Sequence, residues 1–164
     1  MTAPFTHLDD EGRLRMVDVS EKETTRRRAE ASCVVRSVID VFALEETAQG
    51  LDPVFAARLA GIQAAKRTSQ LIPLCHPINL TDVEVDITAR EGGLVVHATV
   101  VTVNRTGVEM EALTACAFAA MSLVDVLTSF DRSAHVDELV LDRKSGGKSD
   151  DWGRLVAPEA SPEP

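Results

Sequence analysis

The 164-residue chain carries 26 acidic against 17 basic residues, a formal net charge of −9. That balance argues against nucleic acid or anionic membrane as a partner. With 4% aromatics and no tyrosine it offers no base-stacking platform. The length and the 45% apolar content fit one globular domain with a sizeable core.

Three cysteines imply no disulfide framework. The opening "MTAPFTHLDDEGRLR" is too polar and acidic for a secretory signal. The longest nearly apolar run, "ALTACAFAAMSLV", is short for a membrane span and contains Thr114 and Ser122. The cytoplasm is the expected location.

In chain order, "RLRMVDVS" and "RRRAEASCVVR" read as strands with mixed faces. In the latter, Arg26 and Arg28 face one way and Arg27 the other. "SVIDVFALEETA" has helical spacing at Val38, Val41, Phe42 and Leu44 or Ala48. "LDPVFAARLAGIQAAKRTSQ" is a helix with Asp52 as N-cap and Pro53 at its first position. "LIPLCHPINL", with two prolines, is an irregular loop. "TDVEVDITAR" alternates valine and isoleucine with acids, and "LVVHATVVTVN" returns after an "EGG" turn, so the pair is a hairpin. "GVEMEALTACAFAAMSLVDVLTSF" is a helix apolar nearly all round, entered through Glu109 and Glu111. "HVDELVLDRK" is a last strand. Residues 157–164, acidic and proline-rich, form an expected disordered tail to a single domain of residues 1–156. Helices between antiparallel hairpins make the class α+β. A helix more apolar than one small sheet needs predicts an oligomer, with that helix near the subunit interface.

Several residues are candidates for chemistry. "LCHP" places Cys75 and His76 in a rigid loop. No other cysteine or histidine stands at metal-ligand spacing, and adjacent residues make a poor nucleophile–base pair. The choice is between a structural loop and one presenting His76 and backbone N–H groups to a ligand. "KSGGKS" is not a Walker loop, since Asp142 replaces the first glycine. It is either a solvated basic turn or a phosphate contact. Lys66 and Arg67 either complement a helix C-terminus or reach a site. Asp125 interrupts the apolar helix and lies fourteen residues after Glu111, close to four turns at ~3.6 residues per turn. Thr128 and Arg132 continue the stripe, and Arg132 is one candidate partner for Asp125.

"MVDVS", "LAGIQAAKRTSQLIPLCHP", "TGVEMEALTAC" and "KSGGKS" together resemble, in order and spacing, the cyclic pyranopterin monophosphate synthase (MoaC) family of molybdenum cofactor biosynthesis. The resemblance covers roughly Thr6 to Trp152. It implies a ferredoxin-like α+β subunit, assembled as a hexamer of three dimers with its pocket at the dimer interface. It implies a substrate that is a cyclised dihydro-GTP made by a radical-SAM GTP cyclase. The implied product is cyclic pyranopterin monophosphate, with pyrophosphate released by acid–base chemistry. No cofactor is implied, though Mg²⁺ could accompany the substrate phosphates. By motif, Leu74, Cys75, His76, Glu109, Met110 and Glu111 are implied substrate contacts, and Asp125 the catalytic aspartate. Arg27, Lys66, Lys144 and Lys148 match basic positions in or near the pocket. Two family lysines are missing. One position is Thr128, three residues after Asp125, and the other falls in the Gln49–Asp52 loop, which has none. A divergent, weakly active or non-catalytic paralogue, or one with altered chemistry, that binds a related nucleotide is therefore the alternative expectation.

Overall fold

The computed structural model describes residues 7–44, 52–147 and 151–154. Strand β1 (Thr25–Arg36) is followed by helices α1 (Val41–Leu44), α2 (Pro53–Ala65) and α3 (Thr68–Leu71). The hairpin β2 (Leu80–Arg90) and β3 (Gly93–Asn104) leads to helix α4 (Glu109–Leu127), then β4 (His135–Ser145) and the short β5 (Trp152–Gly153). The strands form one sheet, ordered β2-β3-β1-β4-β5, antiparallel at every junction. The class is α+β, as expected.

Strand alternation builds the core. On β1, Ala29, Ala31, Cys33 and Val35 are buried. Their register partners on β3 are Val100, Ala98, Val96 and Leu94, also buried. This face carries α4, while Arg28, Glu30 and Ser32 turn to the other face. The β2–β3 turn needs glycine at both Gly92 (φ 73°) and Gly93 (φ 150°), and a Cβ on Gly93 would overlap the Val35 carbonyl.

Helix α2 starts as its sequence predicts: Asp52 accepts a hydrogen bond from the Phe55 N–H at 2.7 Å, and Pro53 follows the cap. The predicted continuous helix breaks after Ala65 and resumes at Thr68. There the Thr68 hydroxyl donates back to the Ala65 carbonyl at 3.0 Å. Gly61 lets α2 press on α4, because a Cβ there would stand 2.7 Å from the Ala115 carbonyl oxygen. By length and composition α4 could cross a membrane. It instead packs on β1, β3, β4 and α2 through Ala112, Ala115, Cys116, Ala119, Leu123 and Leu127, all buried.

Two expectations need correction. "RLRMVDVS" is not a strand: apart from a Leu8–Leu14 bridge it joins no ladder. Two of its carbonyls are taken by distant side chains, Val17 by His76 and Ser20 by Arg105, and those of Arg13 and Val19 accept from the nearby Asp9 and Lys22 N–H groups. The helix expected over "SVIDVFALEETA" is a single turn, Val41–Leu44, within the described residues, and its remainder lies outside them. Strand β5 was not foreseen. The expected tail at 157–164 also lies outside the described residues.

Candidate active site

Three irregular segments meet at one edge of the domain and enclose a cleft of ≈ 360 Å³. The proline-bounded loop Leu74–Ile78 forms one wall. It is tied down by the Cys75 N–H donating to Ile72 and by the Thr102 hydroxyl donating to the Asn79 carbonyl. The arm bearing Val17, Val19 and Lys22 forms a second wall, and Thr106 to Glu111, the entry to α4, forms the third.

His76 is oriented by the arm. Its Nε2 lies 2.8 Å from the Val17 carbonyl oxygen. A carbonyl only accepts, so Nε2 carries the hydrogen and Nδ1 is left to act as base or acceptor. Arg27 reaches the cleft from the start of β1. Its Nε and Nη2 donate to the carbonyls of Asn104 and Arg105, each at 3.1 Å, which fixes the guanidinium plane. Arg105 in turn donates to the Ser20 carbonyl at 2.9 Å and secures the arm.

The helix entry supplies two carboxyls with different surroundings. Glu109 is half-buried and pairs with Lys144 of β4, Oε1 to Nζ 3.2 Å. Its carboxylate folds over Gly107, where a Cβ would collide with it. Glu111 is only 4% exposed. Burial pushes its pKa up to about 7, and the neighbouring Glu109 charge adds to the rise. At neutral pH the Glu111 carboxyl is thus poised to give or take a proton. The Cys75 thiol is raised by burial first and by Glu111 second, so it stays protonated.

Most of the expected contacts come together. Arg27, Leu74, Cys75, His76, Glu109, Met110 and Glu111 all line the cleft. Lys144 lines a small adjoining hollow shared with Arg27 and Glu109. Asp125 does not reach it within one chain. It is exposed on α4, fourteen residues or ~21 Å of helix beyond Glu111 at ~1.5 Å per residue. Among the described residues it has no ion-pair partner, so the suggested pairing with Arg132 is not made. Thr128 donates to the Asp125 backbone carbonyl at 3.0 Å. Lys66 is exposed at the C-cap of α2 and does not line the cleft. Lys148 lies outside the described residues, but Gly147 before it (φ 90°) rests against the Arg27 guanidinium. Sequence reasoning missed His7, Val17, Val19, Lys22, Ile78, Thr106 and Gly107. The alternation Val17–Val19 was the available signal: two apolar residues on one side of an extended segment, facing the cleft rather than a sheet. Among the described residues no group of three or more His, Cys, Asp or Glu could hold a metal ion.

One cleft of an α+β domain thus gathers an oriented imidazole, a buried carboxyl with a raised pKa and fixed cations, groups suited to acid–base chemistry. A model described as the MoaC family matches residues 16–147. A cyclic pyranopterin monophosphate synthase of Thermomicrobium roseum is 49% identical over 156 residues, covering 93% of this chain and 94% of that one. One from Streptomyces coelicolor is 45% identical over 153 residues, covering 92% and 89%. Cyclic pyranopterin monophosphate synthase 2 of Mycobacterium tuberculosis is 46% identical over 153 residues, covering 92% and 91%. The chain belongs to the MoaC family.

Proposed function

We propose that the protein converts 3',8-cyclo-7,8-dihydroguanosine 5'-triphosphate to cyclic pyranopterin monophosphate, releasing pyrophosphate, in molybdenum cofactor biosynthesis. The observation that carries this is the cleft: it gathers Leu74–His76, Glu109–Glu111 and Arg27 from three distant stretches of chain. Arg27 and Lys144 supply positive charge for a triphosphate and for the leaving pyrophosphate, and Lys66, which does not line the cleft of its own chain, and Lys148 are the further cations this reading brings to the site in the oligomer. Mg²⁺ can accompany those phosphates. Glu111 and His76 are placed to move protons on the purine-derived ring.

Asp125, the proposed catalytic aspartate, then requires a second chain. In this reading the cleft of one subunit is completed by α4 of another, in a homo-oligomer built as a hexamer of three dimers. Phe118 and Met121, 37% and 48% exposed on the same helix, and Phe55 and Leu59 on α2, give that contact an apolar surface. The β2-β3-β1-β4 order within a β-α-β-β-α-β series supports the ferredoxin-like subunit. The setting is the cytoplasm, downstream of a radical-SAM GTP cyclase.

One observation favours a second reading, a weakly active or non-catalytic paralogue that binds a related nucleotide. Thr128 stands one helical turn from Asp125 and cannot exchange protons near neutrality as a lysine can. Incubating the protein with the cyclised dihydro-GTP separates the two. Formation of the pyranopterin and pyrophosphate above a no-enzyme control supports the synthase. Calorimetric binding without product supports the paralogue, and neither binding nor product refutes both.

A further inference from the structure

Cys33 and Cys116 face each other at the centre of the core. Cys33 lies in the second half of β1, the strand flanked by both β3 and β4, and Cys116 lies on the face of α4 packed against it. Both are buried, and neither lines the cleft. Their sulfurs stand 3.2 Å apart. Other polar partners are weak: Cys116 Sγ is 3.5 Å from the Val96 carbonyl oxygen, and Cys33 Sγ is 3.9 Å from that of Cys116.

We propose that Cys33 and Cys116 form a two-electron redox pair, which a peroxide converts to an internal disulfide tying α4 to β1. The sulfurs must close by only roughly 1.2 Å to reach a bond of ~2.05 Å. The Cys116 S–H directed at Cys33 favours the thiolate on Cys33 over one on Cys116, so Cys33 is the attacking sulfur. It attacks a peroxide oxygen, the O–O bond breaks, and the departing hydroxide leaves as water with the proton that Cys33 lost. The Cys116 sulfur then attacks the Cys33 sulfenic acid, the S–O bond breaks, and a second water leaves with the Cys116 proton. Two thiols are oxidised and one peroxide is reduced to two waters. Hydrogen peroxide, little larger than water, suits a buried pair reached through brief local opening. The bond would join residues 83 apart in sequence, so it restricts the unfolded chain strongly.

The test uses the folded, reduced full chain. It is treated with hydrogen peroxide, unfolded in iodoacetamide and mapped by mass spectrometry. The expected result is a Cys33–Cys116 peptide pair, together with a rise in Tm of about 5–15 °C that dithiothreitol reverses. Alkylation of both Cys33 and Cys116 while Cys75 is oxidised overturns the proposal. So does a cross-link that forms only in denaturant. Cys116→Ser should remove the reversible Tm rise, and its persistence in that variant also overturns the proposal. Should Cys116→Ser not fold, the wild-type peptide map decides alone.

Discussion

Lys144 Nζ stands 3.2 Å from Glu109 Oε1, joining the end of β4 to the first turn of α4. The pair sits beside Glu111, whose pKa the Glu109 charge helps to raise. Lys144 therefore moderates a carboxyl that it does not touch. Glu109→Gln should lower the Glu111 pKa, and Lys144→Met should raise it by leaving Glu109 unneutralised. A carbon-13 NMR titration of the glutamate carboxyls reads both shifts. Movement in the same direction in the two variants contradicts the coupling.

Stability should depend on Glu111 through the same physics. Its folded pKa of about 7 lies above the ordinary 4.5. The unfolded chain therefore ionises first, and stability falls as pH rises from about 4.5 through 7. Glu111→Gln removes this penalty. The variant should gain up to about 3 kcal/mol over wild type at pH 8 and little or nothing at pH 4. Urea denaturation at the two pH values checks it. The same variant should lose turnover by about 10²–10⁴-fold if Glu111 transfers a proton.

Asp131 works in the opposite sense. Its carboxylate accepts from the Ser133 hydroxyl and N–H, the Val38 N–H at 3.1 Å and the Ser37 hydroxyl at 2.9 Å. These bonds, Ser133 first, hold its pKa well below the ordinary 3.8. The stability they contribute is present above that ordinary value and is lost as pH falls below it. Asp131→Asn should have a lower Tm at pH 7 and a flatter Tm profile between pH 5 and 2. An acid limb as steep as that of wild type would contradict this role.

Gly61 sets the spacing of α2 on α4. A methyl group there meets the Ala115 backbone oxygen and cannot be relieved by a side-chain rotation. Gly61→Ala should cost about 1–3 kcal/mol despite alanine's better helix propensity. Denaturant titration measures it, and a stabilised variant would show that the helices can separate freely.

Thr128→Lys places an amine one turn from Asp125. If the missing amine limits the proposed reaction, kcat should rise at least about tenfold with KM little changed. An unchanged kcat would show that the protein moves its protons without that group.

Much of this architecture could be read from side-chain periodicity. The hairpin alternates strictly, Asp52–Pro53 announces α2, and the apolar run after Glu111 announces α4. The arm at residues 13–20 was misread because Val17 and Val19 alternate as a strand does, while the groups that hold it are distant. His76 and Arg105 are 59 and 85 residues away from their acceptors in sequence. Local pattern carries no information about such partners. The same limit hid Lys22 from the site. Motifs located the "LCH" and "EME" residues, but only packing shows that Glu111 is buried and Glu109 paired. The stripe from Glu111 to Asp125 was legible as a helical repeat, yet its two ends face different surroundings, because helix length separates what a repeat aligns.

The cleft and the hollow beside it draw on residues from His7 to Gly146. A growing chain that has emerged only as far as α4 holds the loop, the arm and both glutamates, yet lacks the cation that neutralises Glu109. It also lacks the β4 neighbour of β1 on the far side from β3. Lys144 and its strand therefore join the site only after α4 has been made, and a nascent chain that stops at α4 carries Glu109 without its cation.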